Sequence, residues 1–157
     1  LTDVVIARAL HVLAVVHWIG GVFMVTAVIL PAVAPLADPA RRVALFEKIE
    51  GRFSLQAKLS VTLAGASGFY MTHRFDAWSR FLDPGYWWMH AMVLVWAVFT
   101  LVLFVAEPLF LHAWFRRRAA HDPAATFALI ERFHWLLLAA SLVTTAAAVL
   151  GAHGALL

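Results

Sequence analysis

The chain contains no cysteine. That excludes disulfides, iron–sulfur clusters, thiolate metal sites and covalent c-type haem attachment, so a metal or haem site must draw on His, carboxylate or Met. Charge is scarce as well. Asp, Glu, Lys and Arg make up 13% of the 157 residues, against about 25% in a typical soluble domain. Methionine is limited to four residues, which leaves little sulfur for a soft metal ion. What fills the sequence is apolar: 64% hydrophobic residues and a mean hydropathy of +0.85. This balance excludes a water-soluble globular domain, a disordered chain and a nucleic-acid reader. The pI near 10 comes from 12 Lys/Arg against 9 Asp/Glu, and on so apolar a chain anionic lipid headgroups suit that charge better than nucleic acid. The length fits a single membrane domain. Eight histidines remain to be accounted for.

A membrane span needs roughly 20 mostly apolar residues. Four stretches qualify, at about 4–33, 53–72, 86–113 and 130–153. The first is far longer than the apolar core of a secretion signal and lacks a cleavage pattern, so it reads as a true span. The expected fold is therefore all-α, an integral membrane four-helix bundle. Between the first two spans, Asp38 followed by Pro39 is a helix-start signal. Val43, Phe46, Ile49 and Phe53 then share one face, which predicts a short amphipathic helix feeding into span two.

Arg41, Arg42, Lys48 and Arg52 flank the first connection, and Arg116, Arg117, Arg118 and Arg132 the third. The opposite side holds Arg8, Arg74 and Arg80. The positive-inside rule puts the richer side in the cytoplasm and both termini outside, as expected in a bacterial inner membrane. Trp78, Tyr86, Trp87 and Trp88 would belong to the outer aromatic belt.

The two inner connections resemble each other. Asp38-Pro39-Ala40, Ala44-Leu45 and Glu47-Lys48 match Asp122-Pro123-Ala124, Ala128-Leu129 and Glu131-Arg132 at a constant separation. His11 aligns loosely with His90, and His73 with His153. Two readings stay open: chance likeness between apolar helices, or two parallel helix hairpins related by an axis along the membrane normal.

Ionisable residues inside a membrane are costly and raise a functional hypothesis by default. His11, His73, His90 and His153 place one histidine near the outer end of each span. His17 lies deeper, six positions from His11 and about 120° around the helix. His112 and His134 lie near the inner face and His121 falls in a loop. The functional reading is a haem or metal site between His11 and His90, since bundle cofactors take ligands from facing helices. His17 and Met92 are lesser candidates, and His11, His90, His73 and His153 together are the metal-ion alternative. Gly20, Gly21 and the Ser60/Ala64/Gly68 ridge would make room for a macrocycle. The plain alternative is that histidines sit at the interface and small residues merely pack helices. Lys58 and Glu107 lie at similar depth near the inner face and are expected to form a buried ion pair, either a staple or a proton relay. Pro108 is expected to kink span three.

Ala9-Leu10-His11-Val12, Ala14-Val15-Val16, Trp18 and Gly21 resemble the opening helix of the four-helix membrane protoporphyrinogen oxidase family and of copper resistance protein D-like membrane proteins. Trp88-Met89-His90-Ala91-Met92 resembles the start of the third helix in the oxidase family, with Met92 where that family has Lys. The resemblance implies haem b binding, with His11 the residue most strongly implied as a ligand. The leading expectation is a membrane haem b redox protein, an oxidoreductase if an enzyme. It would relay electrons near the outer face between a quinol and an external electron-transfer protein. The alternatives are a copper-handling or transport protein and, from the resemblance, a protoporphyrinogen-oxidising enzyme. The expected partners are the bilayer, a quinone and an external redox protein, with a homodimer compatible and no nucleic acid.

Overall fold

A computed structural model describes residues 2–155. The described chain is 92% helical and contains no strand. It forms four rods: α1 (Thr2–Val33), α2 (Pro39–Arg74), α3 (Pro84–His121) and α4 (Pro123–Ala152). α1, α3 and α4 are long and apolar enough to cross a membrane. The second expected span, 53–72, is not among them. Gln56, Lys58 and a run of Ser, Thr and Gly lower its hydropathy, and Ser54, Lys58 and Ser60 meet polar partners on α1 and α3.

α2 and α4 start in the same way. The Asp38 carboxylate accepts from the Ala40 N–H at 2.9 Å, and the Asp122 carboxylate accepts from the Ala125 N–H at 2.9 Å. Proline follows each cap, where its missing N–H costs nothing. The amphipathic stretch after Asp38 is not a separate helix. Val43 and Phe46 are buried as expected, but the helix runs unbroken through Gly51 to Arg74. α4 likewise begins at Pro123, well before residue 130, and His121 is the last residue of α3 rather than a loop residue. Trp88 is also not a belt residue: it is buried against α4 at Gly151, where a Cβ would stand 2.2 Å from the indole nitrogen.

Two of the rods change pitch. α1 is π-helical over Met24–Ile29, just ahead of Pro31, and α3 is π-helical over Val102–Leu111, around Pro108. Proline lacks an N–H and its ring clashes with the carbonyl four residues earlier. A wider π turn moves that carbonyl aside, and such segments recur at functional sites. So Pro108 produces a π-helical stretch within an otherwise continuous rod. Each half of the chain thus has the same order: an apolar rod with a π segment and a proline, a connection, then an Asp-Pro cap and a long helix.

The core has an upper layer, toward the bundle end with Thr2 and Ala152 (called outer below), and a lower layer, toward the end with Asp38 and Asp122 (called inner). Trp18 of α1 meets Phe99 of α3 edge to face at the bundle centre, with ring centroids 4.7 Å apart. Val61, Ala64 and Leu138 close this layer. Below it, Val25, Leu30, Phe46, Phe127 and Ile130 form the inner layer. The outer end is tied by polar groups: the Tyr70 hydroxyl and the Arg74 guanidinium donate to Asp3 at 2.7 and 2.9 Å.

Candidate functional site

Two groups of ionisable side chains lie within the bundle. The first follows the seam between α1 and α2. Buried Ala14 lies on the core side of α1, and His11 and His17 flank it about 60° to either side. Although 120° apart, both therefore reach α2. His11 Nδ1 lies 2.9 Å from the Ala64 carbonyl and 3.1 Å from Ser67 Oγ. A carbonyl only accepts, so Nδ1 carries the proton. The Ser67 hydroxyl donates to the Leu63 carbonyl at 2.6 Å, which leaves its oxygen able only to accept from His11. The tautomer is fixed, and the Nε2 lone pair is left for a ligand. Gly68 completes the cradle: a Cβ there would stand 3.1 Å from His11 Cε1. His17 Nδ1 lies 2.8 Å from Ser60 Oγ, one turn deeper on the same helix.

His90 has different surroundings. It is exposed, and its Nε2 donates to the Phe81 carbonyl at 3.0 Å in the outer loop. The Phe81 ring meets it edge on, with centroids 5.4 Å apart. His11 and His90 share no hydrogen-bond or ring partner, so the described contacts do not bring together the pair expected from depth. Met92 packs against the outer cluster of Trp88, Met89 and Ala147. His153 caps α4, with Nδ1 donating to the Val149 carbonyl at 2.7 Å, and His73 is exposed at the end of α2. Among the described residues no three His, Asp or Glu side chains converge as a metal-ion set.

The second group lies in the inner half. Glu107 stands in the π segment of α3, its side chain only 8% exposed. The Ser54 hydroxyl lies 2.6 and 2.7 Å from its two carboxylate oxygens. Lys58 Nζ is 3.5 Å from Oε2, and His112 Nε2 is 3.5 Å from Oε1. Lys58 and Glu107 thus stand together, as their depths suggested, with two further partners. On α2 the residues Glu47, Glu50, Ser54 and Lys58 follow the three-and-four spacing of one helix face. Burial pushes the Glu50 carboxyl, just before the span, up to about 7, and the nearby Glu107 charge adds to the rise. Glu50 and Ser54 also line a cavity of about 70 Å³ with Trp18, Phe53, Phe99 and His134.

Sequence reasoning singled out Lys58 and Glu107 but passed over Ser54, Glu50, Ser67 and the Ala64 carbonyl. The polar stripe on α2 was visible as helical spacing. A backbone carbonyl acceptor leaves no mark in a sequence.

Comparison with protein-family models, with curated proteins and with solved structures finds no match.

Proposed function

We propose that the protein is a membrane haem b redox protein in which His11 supplies an axial ligand near the outer face. The observation that carries this reading is the His11 ring, anchored through Nδ1–H on the Ala64 carbonyl with Nε2 left over. Ligating histidines characteristically donate their other ring nitrogen to a carbonyl or carboxylate, which sets orientation and basicity. The resemblance of the first span to the four-helix protoporphyrinogen oxidase and copper resistance protein D-like proteins, and of residues 88–92 to the third helix of the oxidase family, adds to the reading. Bound haem would supply one-electron chemistry. His11 would orient it, Ser67 and Ala64 would hold His11, and the small side of Gly68 would leave that ring its space. His90 donates through Nε2 to the Phe81 carbonyl, so as a second ligand it would offer Nδ1. In this reading the protein sits in a bacterial inner membrane with both termini outside. It passes electrons from a quinol to an external acceptor.

The test is the absorption spectrum of the purified protein, with a haem count by pyridine haemochrome. A Soret band that disappears in His11→Ala, with helical content unchanged, is the expected result. A colourless protein that does not take up added haem contradicts the proposal.

A further inference from the structure

The inner group holds more carboxylates than a stapling pair requires. A staple needs one acid for one amine. Here Glu107 meets Lys58 and His112, and Glu47 and Glu50 lie on the same face of α2 as Lys58. If all three carboxylates were ionised, the group would keep a net negative charge even with His112 protonated. Glu107 is buried, Glu50 is half-buried, and one Glu47 carboxylate oxygen is buried with no hydrogen-bond partner among the described residues. An uncompensated charge in such surroundings is costly, and binding a proton removes it.

The neighbouring cavity fits this chemistry. Its volume of about 70 Å³ exceeds the roughly 10–15 Å³ that a water needs on that measure. Its wall is mostly apolar, and Glu50, Ser54 and His134 give it a polar edge. Trp18, also in its wall, is 4% exposed, and its indole N–H has no partner among the described residues. A water in the cavity would offer such a donor an acceptor.

We propose that the inner half of the bundle is a proton-binding site, in which Glu50, on the cavity beside the Ser54–Glu107 pair, holds one exchangeable proton delivered by water in that cavity. On loading, an O–H bond forms at a Glu carboxylate oxygen as one breaks on hydronium, and no electron moves. Unloading is the reverse. The groups acting on Glu50 come from two rods: Glu47 and Lys58 on α2, and Glu107 and His112 on α3. The two negative neighbours favour the protonated form, and the two cations oppose it. α1 contributes Trp18, and α4 contributes His134 through the cavity wall. The site does not depend on the haem reading.

The experiment is infrared difference spectroscopy of the full chain in lipid nanodiscs, stepping the pH across neutrality and following the carboxylic-acid C=O stretch. The expected result is a band that grows as pH falls through about 7, as burial of Glu50 requires. Glu50→Gln should remove the band. Glu107→Gln should shift its midpoint downward, because one negative neighbour is gone. Lack of a titrating carboxylic band in the wild-type protein overturns the proposal, and so does a band that both variants leave unchanged. The wild-type titration needs no variant to fold.

Discussion

In the outer half, His11 is one ionisable side chain held by neutral groups, a backbone carbonyl and a serine, with one ring nitrogen left over. In the inner half, Glu107 is enclosed by charged and donating groups, with Ser54, Lys58 and His112 on its two oxygens. The first arrangement orients a lone pair. The second sets a carboxylate against an amine, an imidazole and a hydroxyl. The backbone differs in the same sense. His11 sits on regular α-helix, whereas Glu107 sits in a π segment next to a proline. Similar depth and similar membrane cost thus end in different chemistry, set by whether the neighbours are neutral or ionic.

The strongest way to break the inner arrangement is Glu107→Ala. It strands Lys58 and His112 and leaves the Ser54 hydroxyl without its acceptor, with an expected loss of about 2–4 kcal/mol. Adding Lys58→Met should return part of that loss, because the Lys58 ammonium is then no longer left unpaired. Unfolding of the two variants in mixed micelles measures both effects. The matching change outside is Gly68→Leu, which drives a side chain into the His11 ring. It should cost about 1–3 kcal/mol, as overpacking does, and it should leave the inner carboxylic band in place.

A pH series separates the halves more finely. The Glu50 carboxyl is raised from its ordinary value of 4.5 to about 7 in the folded chain. The folded state then binds more protons than the unfolded state between those values. Stability should therefore fall as pH rises through that window and level off above about 7. In Glu50→Gln that slope should flatten, and a slope unchanged in the variant would place its source elsewhere. The smallest effect expected is that of Ser67→Ala. His11 keeps the Ala64 carbonyl, so stability should drop by about 0.5–1 kcal/mol with any haem spectrum intact.

Much of this comparison was legible in the sequence. The apolar runs gave four rods, and the Asp38-Pro39 pair gave the start of α2 to the residue, whereas α4 begins at Pro123, ahead of the expected 130. Lys58 and Glu107 could be matched by depth alone. The π segments could not be read, because hydropathy does not report helical pitch. Nor could the separate partners of His11 and His90. Depth along an axis says nothing about rotation around it, and α2 and the outer loop compete for those rings through backbone carbonyls. The low hydropathy of 53–72 was itself informative, since it marks the rod whose polar side chains supply partners to α1 and α3.

The most direct measurement is the visible spectrum and haem content of three proteins purified side by side: wild type, His11→Ala and Glu107→Gln. The account predicts a haem b spectrum in the wild type, its loss in His11→Ala and its retention in Glu107→Gln. A wild-type protein that binds no haem, or a His11→Ala protein that keeps the full spectrum, would contradict it.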